Sequence, residues 1–151
     1  MVASAQGISE IIPGKLYLGS EKDAQDLEEL SRLGITHILN VTPQKNRHEK
    51  SFTYMRIAIE DGGDQIGRYF EQAISFIEQA SVVFVHCRHG ISRSATIVTS
   101  YLMKKNSWDY KKALSSLKEK RPKVALHILF ITELSLYQQQ LHIGKSCSRL
   151  R

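Results

Sequence analysis

Ser81-Val82-Val83-Phe84-Val85-His86-Cys87-Arg88-His89-Gly90-Ile91-Ser92-Arg93-Ser94 decides how the chain is read. Residues 81–86, with Val82, Val83, Phe84 and Val85 in sequence, have the pattern of a strand buried on both faces. A helix follows at about 93–105, so the residues between form a strand–loop–helix junction. Such a junction turns several backbone N–H groups inward and makes an anion-binding concavity. The helix N-terminus adds its dipole and its unpaired donors. Gly90 permits backbone angles that bulkier residues resist. Cys87 stands at the start of this positive field, where a thiol is activated as a nucleophile. Arg93 can curl back and hold two phosphate oxygens bidentately. Nucleophile, oxyanion cradle and fixed cation converge on one point.

Outward from this stretch, strands and helices alternate. Residues 15–19 and 36–41 read as short strands, with a helix over 21–33 between them. Ser20 is its N-cap and Asp23 lies three residues on. Ala24, Leu27, Leu30 and Leu33 recur at helical spacing, and Gly34 is a suitable stop. Residues 55–59 read as a strand and 66–80 as a helix with Ile66, Phe70, Ala73, Ile74 and Ile77 on one face. Helices at about 109–120 and 126–141 complete the chain. The expected fold is α/β, a central, mainly parallel sheet of about five strands with helices on both faces. Ligands of such sheets bind beyond the carboxyl ends of the strands.

The chain has 151 residues, 42% hydrophobic and 24% charged, which suits one domain with a core at about 8–141. That balance excludes disorder, collagen and a membrane-spanning chain, since the longest apolar run, 81–87, falls far short of the ~20 residues a bilayer needs. The ends, 1–8 and about 143–151, read as loose, the latter basic. No secretory signal is read at the start, and Cys87 and Cys147 cannot make a disulfide framework. The expectation is a reducing compartment, cytoplasmic with the nucleus open. A net charge of +6 favours anionic partners without choosing among nucleic acid, acidic membrane and phosphorylated substrates. His86, Cys87 and His89 crowd together without a second ligand pair of zinc-site spacing, so a metal-free site is expected.

His-Cys-x-x-Gly-x-x-Arg-Ser at 86–94 resembles the signature of protein tyrosine phosphatases, and Ser92-Arg93-Ser94-Ala95 is similar to its dual-specificity branch. The segments 12–19 and 33–42, Tyr69-Phe70, Phe76-Ile77 and Arg121-Pro122 also resemble that family. The resemblance implies a cofactor-free enzyme that forms a cysteinyl-phosphate on Cys87. It implies that Arg93 and the amides of residues 88–93, with Arg88, His89, Gly90, Ile91 and Ser92 as the loop, hold the phosphate oxygens. Ser94 would help Cys87 leave in the second step, and His86 would support the thiolate from behind or simply pack in the core.

A leaving hydroxyl needs a proton donor, since a tyrosine hydroxyl has a pKa of about 10. Glu60-Asp61-Gly62-Gly63-Asp64 follows a strand on the ligand side. The resemblance points to Asp61, and Asp64 is the alternative, otherwise a first-turn charge of the next helix. Leu126 and His127 stand where the family has a Pro-Asn pair ahead of the last helix, which puts local geometry in question. Lys45, Arg47, His48 and Lys50 make a basic loop, either solvated or a rim for acidic sequence. Cys147 reads as an exposed thiol, with lipidation or a resolving role as alternatives. The implied substrates are proteins phosphorylated on tyrosine, serine or threonine, kinases among the open partners, with no stable nucleic-acid or membrane partner and no docking domain ahead of the core. RNA 5′-triphosphates, phosphoinositides and phosphoprotein binding without catalysis stand as alternatives.

Overall fold

The structure is a computed structural model that describes residues 7–63 and 65–142. In chain order its elements are β1 (Ser9–Ile12), β2 (Leu16–Ser20), α1 (Glu21–Ala24), α2 (Leu27–Arg32), β3 (His37–Asn40) and β4 (Thr53–Arg56). A 3₁₀ turn (Ile66–Tyr69), α3 (Phe70–Gln79), β5 (Val83–Cys87), α4 (Arg93–Asn106), α5 (Tyr110–Lys120) and α6 (Ile128–Gln140) follow. The five strands lie in the order β1-β2-β5-β3-β4. β5 runs parallel to both β2 and β3, and β3 parallel to β4, while β1 is antiparallel to β2. The expected α/β fold with a mainly parallel, five-stranded sheet is what forms.

Period-2 alternation divides the strand residues between two cores. Val83, Val85 and Cys87 of β5 face the larger core with Leu16, Leu18 and Leu39, under α3 to α6. Phe84 faces the smaller core with Tyr17, Ile38 and Leu30. β5 is central, and all five of its residues are buried. That is why its sequence is an unbroken apolar run. α4 is the central helix, buried from Arg93 to Met103. Its buried hydroxyls are satisfied by the helix backbone: Thr96 donates to Ser92 O, Thr99 to Ala95 O and Ser100 to Ile97 O.

Several boundaries differ from the expectation. The single helix at 21–33 is two, interrupted after Ala24. Ser20 and Asp23 form the capping box of α1, and Asp26 caps α2 by accepting from Glu29 N–H. Two caps in succession outweigh a shared apolar spacing. The strand expected at 55–59 is displaced to Thr53–Arg56, on the sheet edge with β3 as its partner. Ile57 still donates to Asn40 O, but Ile59 donates to Ile57 O, which turns the chain out of the sheet. The helix expected from 66 opens with the 3₁₀ turn. β1, which periodicity alone did not show, is four residues long and joins β2 through a turn where Gly14 adopts φ +66°.

Candidate active site

β5 ends at Cys87 and α4 begins at Arg93, so residues 88–92 form the loop at the carboxyl edge of the sheet. Each of its carbonyls is held from outside. Glu21 N–H donates to Arg88 O (3.1 Å), Ala125 N–H to Ile91 O (2.9 Å) and Thr96 N–H to Ser92 O (2.8 Å). Arg121 supplies the others, Nε to Gly90 O at 2.8 Å and Nη2 to His89 O at 3.4 Å. In a trans peptide the N–H points opposite to the preceding C=O. With the carbonyls of 88–92 turned outward, the amides of 89–93 face the concavity, an anion-binding nest. Gly90 has φ +69°, and a Cβ there would lie 2.5 Å from Gly19 O and 2.7 Å from Arg121 Nη2. Both the angle and the space require glycine.

Cys87 is 2% exposed, at the floor of this loop, and its Sγ lies 3.0 Å from Ser94 Oγ. Arg93 is 7% exposed and donates from Nη1 to Ile59 O at 2.8 Å. Among the described residues no carboxylate pairs with it. A buried guanidinium with a single carbonyl partner favours an anion beside it. Asp61 lines the same cavity, of about 350 Å³, with Glu60, Cys87, Arg88, His89, Ile91, Ser92 and Arg93. Arg88 and His89 point to solvent at its rim, where an adjoining groove of about 860 Å³ begins. Asp64 and Cys147 lie outside the described residues. The structure therefore brings Cys87, Arg93, Ser94, Asp61 and the 88–92 loop together.

His86 faces the opposite side of the sheet from Cys87 and stacks on Phe84, with ring centroids 5.5 Å apart. Its Nδ1 lies 3.7 Å from Glu21 Oε1, and among the described residues neither atom has a hydrogen-bond partner. Arg47 Nε pairs with the other oxygen of Glu21 at 3.2 Å. Of the basic loop, Arg47 thus lines the groove, while His48 N–H donates to Tyr54 Oη. Burial pushes the His86 imidazole down from 6.5 to about 4, so it is neutral near pH 7. The unfolded chain therefore takes up this proton first as pH falls. The resulting stability is complete above about 6.5 and is lost between 6.5 and about 4, on the order of 3 kcal/mol. Denaturant unfolding at stepped pH checks it: His86→Phe should lack that part of the slope, and an unchanged slope would refute it.

Two residues that hold the loop in place are not apparent from sequence patterning. Arg121 carries no spacing signal of its own, yet among the described residues it is the largest fully buried side chain, and it holds two of the five loop carbonyls. It also donates from Nη1 to Gly7 O (2.7 Å) and Ser9 Oγ (2.9 Å). Burial lowers its pKa from 12.5, opposed in part by the nearby Asp23 carboxylate. The second is His127. It caps α6 and ties that helix to Ser92, whose Oγ accepts from His127 N–H at 3.0 Å. The Leu126–His127 departure therefore leaves the helix start connected to the loop.

An amide nest above a buried cysteine, closed by a buried arginine, is an α/β arrangement suited to receiving an oxyanion beside a thiol. Comparison with known proteins agrees. A family model of the dual specificity phosphatase catalytic domain matches residues 16–140, and the chain belongs to that family. It is 37% identical over 146 residues to human dual specificity protein phosphatase 7, covering 91% of this chain and 35% of that protein. It is 39% identical over 148 residues to human dual specificity protein phosphatase 9, covering 93% and 38%. The chain thus spans little more than a third of the length of these curated relatives. The crystal structure of DUSP15 superposes with a TM-score of 0.79 at 31% identity, covering 93% of this chain and 98% of that one.

Proposed function

We propose that the protein hydrolyses phosphate monoesters of tyrosine, serine and threonine in proteins through a cysteinyl-phosphate intermediate. The observation that carries this reading is the outward anchoring of all five carbonyls of 88–92, which aims a ring of amides at the space above Cys87 Sγ. In the first step the Cys87 thiolate attacks phosphorus, forming S–P as the P–O bond to the leaving group breaks. Asp61 gives its proton to the departing oxygen. The amides and Arg93 hold the three equatorial oxygens. In the second step Asp61 takes a proton from water, whose oxygen bonds phosphorus as S–P breaks. Ser94 Oγ, 3.0 Å from the sulfur, donates a hydrogen bond to the leaving thiolate. Inorganic phosphate and the free thiolate result.

A substrate panel tests this reading: phosphotyrosine and phosphothreonine peptides, an RNA 5′-triphosphate and a phosphoinositide. Phosphate release from the peptides supports it. Release from RNA or lipid alone refutes it, and so does peptide binding without release. For the acid, the pH–rate profile of Asp61→Asn should lose its alkaline decline and fall about 10²-fold on a phenolic ester. An unaffected profile would move the proton donor elsewhere, to Asp64 first.

A further inference from the structure

His127 touches both halves of the site from the start of α6. Its backbone N–H donates to Ser92 Oγ at 3.0 Å, and Ser92 is the N-cap residue of α4. Three contacts of its ring bear on the site. Nδ1 accepts from Leu129 N–H at 3.1 Å, so that nitrogen carries no proton, and the ring is fixed as a helix cap. One side lies against Phe130, with centroids 5.8 Å apart and Phe130 buried in the core. The far edge abuts Gly62. A Cβ on Gly62 would sit 2.2 Å from Nε2 and 2.4 Å from Cδ2, so the imidazole fills the space a side chain would take. Gly62 also holds φ +68°, and it directly follows Asp61.

We infer that His127 is a positioning residue: its ring, wedged between Phe130 and Gly62, sets where Asp61 stands relative to the phosphate on the 88–92 loop. The inference rests on Asp61 being the proton donor proposed above. One rigid support then carries both parts of the reaction. The backbone of His127 anchors the loop that holds phosphate, and its ring anchors the loop that holds the acid. Proton transfer demands a heavy-atom approach of about 2.6–3.2 Å, so a small drift of Gly62 is felt at Asp61. Phosphate binding, which depends on the amides and Arg93, does not need that contact.

The test separates these two demands by leaving group. His127→Asn keeps the backbone N–H and a side-chain oxygen that can cap α6, and it removes the ring edge from Gly62. Turnover is measured on phenyl phosphate, whose phenol needs a proton, and on a fluorinated umbelliferyl phosphate, whose acidic leaving group does not. The expected kcat loss is about tenfold on the first and less than about twofold on the second. Gly62→Ala disturbs the same contact from the other side and should give the same split. Equal losses on both esters, or no loss on either, overturn the positioning role. Asp61→Asn is run alongside. If it too lacks the leaving-group dependence, the acid assignment has failed; if it shows the dependence while His127→Asn does not, only the positioning role has.

Discussion

Cys87→Ser should release no measurable phosphate from any substrate the wild type hydrolyses, a loss of about 10⁵-fold or more. The serine hydroxyl is the poorer nucleophile, and Ser94 already supplies the one hydroxyl the site uses beside the sulfur. The nest is built from backbone anchored at Glu21, Arg121, Ala125 and Thr96, none of which involves the thiol. Phosphopeptide binding should therefore persist while turnover vanishes. Steady-state kinetics give the first quantity and calorimetric titration with a phosphopeptide the second. An acid-quenched wild-type reaction should add one phosphate to the peptide containing Cys87 in mass spectrometry. Residual turnover in Cys87→Ser within about tenfold of wild type would sink the covalent route.

Arg93→Lys should lower kcat by about 10³-fold on every leaving group alike. The substitution keeps the charge but loses the planar fork that meets two phosphate oxygens at once. It also loses the tether to Ile59 O, so the ammonium is free to pair elsewhere. Inhibition by vanadate should weaken in parallel, because the same geometry binds the trigonal-bipyramidal mimic. The uniformity across leaving groups is diagnostic, since a lesion of the acid loop grades with leaving-group basicity. Turnover within about threefold of wild type would mean that the backbone nest alone supplies the oxyanion stabilisation.

The parts of this molecule that sequence made legible share a physical signature that is local. β5 shows because burial on both faces leaves Val83, Phe84 and Val85 unbroken. The loop shows because glycine, arginine and cysteine must stand at fixed intervals between a strand and a helix. Ser20 and Asp23 show because a capping box spans only four residues. The hidden parts depend on distant partners. Arg121 reads as one more arginine after a basic helix, and its importance comes from Gly90, His89, Gly7 and Ser9, all more than 30 residues away. His127 reads as a departure from a family pattern until Ser92 and Gly62 are seen on either side of it. The break at Ala24 was obscured by an apolar spacing that continues across it, although Asp26 carried the signal of a second cap.

The bonds from Arg121 to Gly7 and Ser9 set the practical boundary of a minimal active fragment. The stretch matched by the family model starts at residue 16, and a fragment cut there would keep every side chain of the proposed phosphate site. It would also strip two of the acceptors that hold the Arg121 guanidinium in place, leaving a buried cation short of partners directly beneath Gly90 and His89. Such a fragment would have all its chemistry and a slack scaffold under it. Expression designs, affinity tags and protease sites therefore belong ahead of residue 7, since Gly7 and Ser9, at the start of the edge strand, hold the arginine under the 88–92 loop.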